Sequence, residues 1–289
     1  MEPYDAYQDD DGPTLRESVV LFLDLLGTTD PRTDQEAQQS LENVHEALER
    51  ARDWGGSDRA DTSCVVSWFS DNLGMALPVD ADAADEALGT IITNAAAHQA
   101  ALTLSGFPAR GAIAVGLFYA DEELLYGAAL NRAVALEKSR AIYPRVVLDE
   151  AAARSAREHL IEIYGGGLTA PHRAQLAVDS DGVTFVNYLG SALDFDDEQA
   201  PLNARFLRQH RKFIIERLTR FDGEPHIHDK FRWLAGYHDW YIQTVAAELA
   251  PVLDPDTLQV RCSRPLGVRF SAFGDDVKPL EDDWPGRDR

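Results

Sequence analysis

The hydrophobic pattern of the chain starts with a short apolar run over residues 18–28 that encloses one carboxylate, Asp24. The run is rich in Val, Leu and Phe and ends at a glycine, which predicts a strand buried on both faces. A second apolar segment, 68–77, is interrupted at 70–72 and predicts two short strands joined by a tight turn that carries Asp71. Because a carboxylate in a buried strand is costly unless it is paired or binds a cation, these aspartates are the first candidates for a functional site.

Helical and extended periodicities alternate along the chain as far as residue 150. Apolar positions at helical spacing predict helices over residues 33–53, 80–105 and 128–142, with Thr33 as the N-cap of the first. Apolar runs predict strands over residues 63–69, 73–79, 108–116 and 144–148, and a short turn near residue 117 precedes a partly apolar stretch at 118–126. The order of strand, helix, two strands, helix and strand is that of the split βαβ plan. We therefore predict an α+β fold, a ferredoxin-like antiparallel sheet with helices on one face.

The remainder of the chain has a different composition and pattern. Residues 151–164 are predicted to be helical, and 175–189 to form a hairpin that turns at 179–182. Two long helices, 202–221 and 229–249, carry many aromatic residues, which we interpret as core or dimer packing. No long linker separates the two parts. We predict a core domain at 18–150 and a mainly helical C-terminal extension at 151–289 that packs on it.

The charge and composition of the 289 residues limit the classes of partner that the protein can bind. A net charge of −22 argues against a broad nucleic-acid or anionic-membrane surface, because both need basic residues. A small polyanionic substrate remains compatible if metal ions and a few arginines lie near it. No apolar run has the length of a membrane span, the N-terminus is acidic, and two cysteines do not make a disulfide framework. These features predict a cytoplasmic protein with no nucleic-acid or membrane partner.

Several ordered motifs resemble the catalytic domain of class III nucleotide cyclases. They read F-L-D-L-L-G, F-S-D-N-L, R-G-A-I-A-V-G and Y-G-A-A-L-N-R-A-V-A-L-E-K-S-R-A-I-Y-P-R-V-V-L. Within that superfamily, L-E-K-S-R-A-I-Y-P-R-V-V-L and K-F-R-W-L-A-G-Y-H-D are similar to the Pycsar pyrimidine cyclases of bacterial anti-phage defence. The resemblance covers residues 18–150, with a looser match around 229–240, and identifies 18–150 as the nucleotide cyclase catalytic domain.

The resemblance implies a role for each matching residue. Asp24 and Asp71 match the metal-binding aspartates, and Leu25 would offer its backbone carbonyl to one of two Mn²⁺ or Mg²⁺ ions. Arg110 matches the arginine that contacts the triphosphate. Asn131 matches the asparagine that orients the nucleotide across a dimer interface. The remaining nucleotide-binding positions that it implies are Phe22, Ser67 and Leu124.

The chemistry of cyclisation is consistent with these residue types. Divalent cations held by shared carboxylates stabilise the entering and leaving oxygens, and an arginine gives a planar contact to phosphate that cannot lose its charge. Ser67 and Leu124 stand where purine cyclases place polar base-reading residues, which favours a pyrimidine. The resemblance thus implies a homodimeric uridylate cyclase that converts UTP to 3′,5′-cyclic UMP and pyrophosphate. The cyclic nucleotide would then reach a downstream effector.

One position departs from the family. Class III cyclases carry an arginine one helical turn after the asparagine, and here that residue is Ala135. Either another basic residue replaces it, with Arg132, Lys138 and Arg145 as candidates, or the reaction depends more on the metal ions. The alternatives are a cytidylate cyclase acting on CTP, an adenylate or guanylate cyclase, and a non-catalytic cyclase-fold dimer that binds nucleotide.

Each candidate residue also has a purely structural interpretation. Asp24 could be satisfied by a helix N-terminus, Asp71 could be a turn residue, Arg110 a surface strand residue, and Asn131 a helix residue that bonds locally. The histidines at 226, 228 and 238 match no zinc-site spacing, so we expect no zinc there.

Overall fold

The computed structural model describes residues 3–26, 33–55, 64–79, 84–192, 200–250 and 254–279. The described strands are β1 (Gln8–Asp9), β2 (Gly12–Pro13), β3 (Arg16–Leu25), β4 (Val65–Phe69), β5 (Asn72–Pro78), β6 (Ala109–Ala120), β7 (Leu125–Gly127), β8 (Val146–Leu148), β9 (Leu176–Asp179), β10 (Thr184–Val186) and β11 (Phe270–Ala272). The described α-helices are α1 (Asp34–Gly55), α2 (Ala84–Leu104), α3 (Ala128–Ser139), α4 (Glu150–Glu158), α5 (Pro171–Gln175), α6 (Tyr188–Ala192), α7 (Ala200–Arg220), α8 (Pro225–Thr244) and α9 (Ala246–Leu249).

Strands β3 to β11 form one twisted sheet in the order β11-β9-β10-β8-β6-β3-β5-β4, with β7 paired to β6. The four strands β6-β3-β5-β4 run antiparallel to their neighbours and have the order of a ferredoxin-like fold. The pair of β6 and β8 is parallel. The prediction of an α+β fold with a mostly antiparallel ferredoxin-like sheet is therefore confirmed.

The core helices cover both faces of this sheet, whereas the sequence predicted helices on one face. Leu21 of β3 lies in the same apolar cluster as Ile91 of α2. The next residue along the strand, Val20, points to the opposite face and packs with Ala129 of α3. The physical reason is that β3 is buried on both sides, so each face needs a helical cover.

Most element boundaries fall close to those predicted. Helix α1 begins after Thr33, whose hydroxyl oxygen accepts the backbone N–H of Glu36 at 3.2 Å, as expected of an N-cap. Strand β6 continues to Ala120, beyond the break that the sequence predicted near residue 117. The chain turns later because Asp121 accepts the backbone N–H groups of the residues that follow. Helix α8 begins at Pro225, earlier than predicted, with proline in its first turn.

The C-terminal extension continues the sheet of the core. Phe185 of β10 pairs with Val147 of β8, and β9 and β11 follow at the edge. Trp233 of α8 stacks on Tyr143, with ring centroids 5.7 Å apart. The aromatic residues of α8 therefore pack against the core. None of the described helices combines the length and apolarity that a membrane span requires.

Candidate active site

Asp24 lies near the end of β3, the central strand of the ferredoxin-like unit. Its register partners are Asn72 on β5 and Arg110 on β6. The side chain remains about one-fifth exposed, although the strand residues before it are buried. The run of apolar residues therefore carries this carboxylate to the edge of the core, where it faces both the hairpin turn and β6.

Asp71 occupies the turn of the β4–β5 hairpin, beside Asp24. Ser70, which precedes it, has a left-handed backbone with φ of 56°, so the chain reverses tightly at this point. The Asp71 carbonyl accepts the backbone N–H of Leu25 at 3.0 Å, and Asn72 Nδ2 donates to Asp71 Oδ1 at 3.2 Å. The turn is thus fixed against the end of β3, which brings the two aspartates to the same corner of the sheet.

Arg110 connects Asp24 to a buried carboxylate on α3. Its Nε and Nη2 atoms each lie 2.9 Å from Asp24 Oδ2. Its Nη2 also lies 2.7 Å from Glu137 Oε1, and the Glu137 side chain is only 3% exposed. The guanidinium is therefore held between two acids.

Glu137 is a site residue that the sequence analysis did not identify. Burial raises the pKa of its carboxyl, while the neighbouring Arg110 guanidinium lowers it and the Asp24 carboxylate raises it further. Because Glu137 is buried on α3 and pairs with Arg110, we interpret its function as holding the Arg110 side chain in place. The only signal in the sequence was an acidic residue at a position of α3 that otherwise reads as apolar, in the motif A-L-E-K-S.

The donor set at this corner fits divalent cations bound together with phosphate. Asp24 and Asp71 supply two carboxylates, and both contacts from Arg110 go to Oδ2 of Asp24, which leaves Oδ1 for a cation. Nowhere in the described residues do three or more His, Cys, Asp or Glu side chains form a metal-binding group. Mg²⁺ is commonly held by one or two carboxylates plus substrate phosphates and water, so two carboxylates suffice for such a site.

Two of the predicted nucleotide-binding residues, Phe22 and Ser67, lie in a row across the face that carries Asp24. Phe22 and Ser67 both pair with Gly74, from opposite sides of β5. A Cβ at Gly74 would lie 3.0 Å from Leu125 Cδ1, so Leu125 covers this row. Leu124, which the sequence predicted as base-contacting, is half-exposed in the turn before β7, and its role stays a prediction.

Phe22 also forms an aromatic pair with Phe69, the last residue of β4. Phe69 lies 6.3 Å from the Phe22 ring, centroid to centroid, and remains nearly half-exposed. Phe69 and Leu125 were not singled out from the sequence. The sequence analysis had instead identified nearby residues of the chain, Asp71 and Leu124, as candidates.

The helix residues Asn131 and Ala135 lie on the exposed surface of α3. Asn131 is six residues from Glu137, which corresponds to about 9 Å along the helix axis. Within one chain the structure thus brings together Asp24, Leu25, Asp71 and Arg110. The roles of Asn131 and Leu124 stay predictions.

The basic residues proposed to replace the family arginine are mostly engaged elsewhere. Arg145 is 1% exposed and pairs with Asp179 at 2.5 Å and with Asp181 at 2.6 Å, far from solvent. Arg132 pairs with Asp149 at 3.0 Å. Lys138 is exposed on α3 beside Glu137. The prediction that Arg145 could serve in the site is therefore wrong, because the extension buries it.

A lysine of the extension, Lys230 on α8, reaches the same region and was not identified from the sequence. Burial lowers the pKa of its ammonium, the Arg110 guanidinium lowers it further, and Asp24 and Glu137 oppose both effects. Lys230 lines the same pocket as Leu26, which follows Asp24 by two residues, so its charge acts on the two acids and the arginine of the core. The C-terminal extension thus contributes charge to the candidate site.

Comparisons with known proteins found cyclases among solved structures. No protein-family model and no curated protein matches the chain. The monomeric guanylyl cyclase domain of the RhoGC fusion protein from the fungus Blastocladiella emersonii is 16% identical over 59% of this chain and 94% of its own, with a TM-score of 0.39. The guanylyl cyclase Cya2 is 15% identical over 49% of this chain and 78% of its own, with a TM-score of 0.34.

A bacterial light-regulated adenylyl cyclase is 12% identical over 68% of this chain and 100% of its own, with a TM-score of 0.39. All these TM-scores lie below 0.5, so these similarities do not bear on activity. The functional proposal therefore depends on the residues of the site.

Proposed function

We propose that the chain is a class III nucleotide cyclase that converts a nucleoside triphosphate to a 3′,5′-cyclic nucleotide and pyrophosphate. The observation that carries this proposal is the corner formed by Asp24 on β3 and Asp71 on the adjoining hairpin, with Arg110 directly opposite Asp24. Carboxylates for divalent cations beside a guanidinium for phosphate are what phosphoryl transfer requires.

In the proposed reaction the ribose 3′-oxygen attacks the α-phosphorus, its proton passes to water, and the bond to the β-phosphate oxygen breaks so that pyrophosphate leaves. Two Mn²⁺ or Mg²⁺ ions, held by Asp24, Asp71 and the Leu25 carbonyl, would supply positive charge to the entering and leaving oxygens. Arg110 would contact the phosphates through Nη1, the guanidinium nitrogen that neither Asp24 nor Glu137 contacts. Glu137 holds Arg110 at the correct position on the sheet.

The base is proposed to be uracil, and the substrate UTP. The residues on the face beside Asp24 are apolar or small, namely Phe22, Ser67 and Leu125, and Ser67 offers one hydroxyl. This set favours a pyrimidine over a purine, and cytosine in CTP is the next candidate.

A homodimer would complete the site. Asn131 is exposed on α3, and large apolar side chains on nearby elements are also exposed, among them Phe69, Leu124 and Tyr126. In an isologous pair, Asn131 of one subunit would orient the nucleotide held by the aspartates of the other. We further propose that the product acts in the cytoplasm as the second messenger of an anti-phage (Pycsar) system and reaches its effector by diffusion.

The test is an assay of the purified chain with Mn²⁺ and each of UTP, CTP, ATP and GTP, with products separated by chromatography and identified by mass. Wild-type protein should form cyclic UMP. The Asp71→Ala variant should lose about 10²–10⁴-fold in rate, as expected when a preorganised charged group is removed. Asp10→Ala, an exposed aspartate in the β1–β2 turn, is the matched control and should retain full activity.

A non-catalytic nucleotide-binding dimer is the second candidate, because Ala135 stands where the family has an arginine. Binding of UTP without turnover under either metal would favour that function. A purine product would instead assign the chain to ordinary cyclase signalling.

A further inference from the structure

A pocket of about 540 Å³ lies where the core meets the C-terminal extension. We call it the junction pocket. Its walls are α1, the turn between α2 and β6, and the connection between α7 and α8, with Leu26 next to the end of β3. This volume is in the range of pockets that bind small molecules.

The wall of the junction pocket is basic in a strongly acidic protein. Arg217 and Arg220 come from the last turn of α7, and Lys230 comes from α8. Glu36 is the one acidic side chain among the described residues that line it. Against a net charge of −22 for the whole chain, this local excess of positive charge needs an explanation.

Two cations of this pocket, Arg217 and Arg220, are held by carbonyl or aromatic groups, and among the described residues neither has a carboxylate within ion-pair distance. Arg217 Nη2 donates to the Gly106 carbonyl at 3.2 Å, and its guanidinium lies over the Phe213 ring. Arg220 lies over Phe221. Lys230 is half-buried and has no ion pair within 4.0 Å in the part of the chain that the structure describes.

Burial and neighbouring charges shift the pKa values of two half-buried cations of this pocket, Arg217 and Lys230. Burial lowers the pKa of Arg217, the positive charge of Arg220 lowers it further, and Glu216 opposes both effects. Burial and the Arg110 charge lower the pKa of Lys230, whereas the Asp24 and Glu137 carboxylates raise it. Clustered cations that repel one another and have lost part of their hydration gain most from an anion of several charges.

The junction pocket adjoins the candidate active site. Leu26 follows Asp24 by two residues, and Lys230 interacts electrostatically with both Asp24 and Arg110. We propose that the junction pocket binds an oligophosphate anion, with Lys230, Arg217 and Arg220 as its cations. The source of the anion rests on the proposed function. In that reaction the anion would be the polyphosphate of the substrate or the released pyrophosphate.

The test is calorimetric titration of the full chain with inorganic pyrophosphate in the presence of EDTA, so that no metal at Asp24 or Asp71 contributes. Wild-type protein should bind pyrophosphate, and Lys230→Gln and Arg217→Gln should each weaken binding by about 10-fold or more. Lys212→Gln is the matched control on α7, because that lysine is 77% exposed and lies outside the pocket. Lys230→Arg should restore binding, and thermal melting checks that each variant folds.

Competition distinguishes the two sources of the anion. Displacement of pyrophosphate by UTP would assign the pocket to the phosphates of the substrate, whereas simultaneous binding would make it a separate site for free oligophosphate. Absence of pyrophosphate binding, or equal affinity in Lys230→Gln and Lys212→Gln, would overturn the proposal. Cyclase turnover without pyrophosphate binding would overturn the pocket alone, and binding without turnover would overturn the proposed function alone.

Discussion

Two arginines of this chain lie in charged networks of opposite character. Arg110 contacts Asp24 and Glu137 at the edge of the core and is 24% exposed. Arg145 is 1% exposed and pairs with Asp179 and Asp181, and Asp179 also accepts the Trp233 indole N–H at 2.7 Å. Both networks join an arginine of the core to acids that are distant in sequence.

The difference between the networks lies in what remains for a ligand. The Asp179 carboxylate accepts hydrogen bonds from the Arg145 guanidinium and the Trp233 indole. This network therefore joins the core to α8 and the β9–β10 hairpin. Around Arg110 both guanidinium contacts to Asp24 go to one carboxylate oxygen, Oδ2, and the turn that carries Asp71 is hydrogen-bonded to the end of the same strand. Removal of one partner from an enclosed network destabilises the fold because it leaves a buried charge uncompensated, whereas an open network at the same sheet can serve chemistry.

The strongest test of this comparison is Arg145→Gln. Removing one partner of a buried ion network leaves Asp179 without its charge partner, so the free energy of unfolding should fall by about 3–5 kcal/mol. Urea denaturation followed by circular dichroism measures it. A loss below about 1 kcal/mol would show that the Arg145 network is not structural.

Arg110→Gln should give the reverse pattern, with cyclase activity reduced about 10²-fold or more and a smaller loss of stability than Arg145→Gln. The stability loss is limited because Glu137, whose pKa burial already raises, can take up a proton. Since the raised pKa favours the protonated folded state, the stability of this variant should decrease as the pH rises through the pKa of Glu137. Activity at wild-type level would contradict the assignment of Arg110.

The buried histidine pair of the extension gives a smaller, pH-dependent effect. His238 Nε2 donates to the Leu258 carbonyl, so His238 Nδ1 accepts from His210 Nδ1, and His210 Nε2 accepts from the Tyr188 hydroxyl. Burial lowers the pKa of His238 from 6.5 to about 4. The unfolded chain therefore binds more protons in this window, and stability should fall as the pH decreases from about 6.5 towards 4.

Melting temperatures between pH 4 and 8 measure this effect. In His238→Gln the difference in melting temperature between pH 7 and pH 5 should be smaller than in the wild type. An unchanged difference would place the pH dependence in other groups.

The smallest effect is expected for an exposed arginine network. Arg157 pairs with Asp276 at 2.7 Å, but their side chains are 43% and 71% exposed. Arg157→Ala should therefore change the free energy of unfolding by at most about 1 kcal/mol, and added salt should reduce that difference further because ions screen an exposed pair. A larger loss in urea denaturation would show that this pair fixes the C-terminal segment to α4.

Much of the core could be predicted from the sequence because its signals are local. Periodicity and turn residues gave the order of strands and helices that forms the ferredoxin-like sheet, and Thr33 was recognised as an N-cap from its neighbours. The roles of Asp24, Asp71 and Asn131 remain predictions drawn from the resemblance. The position of Leu125 over Gly74 could not be predicted, because adjacent leucines in a turn differ only in where the backbone points them.

The sequence by itself determined the elements and their order, and it placed one aspartate in a buried strand and another in the following hairpin turn, since these depend on residues close together in the chain. Only the tertiary structure decided which arginine faces Asp24, that Glu137 lies behind it, that α3 covers the face opposite α2, and that Lys230 reaches the site from the extension. Those outcomes depend on how distant segments dock, and docking is determined by the shape and burial of whole surfaces, which no local pattern of residues records.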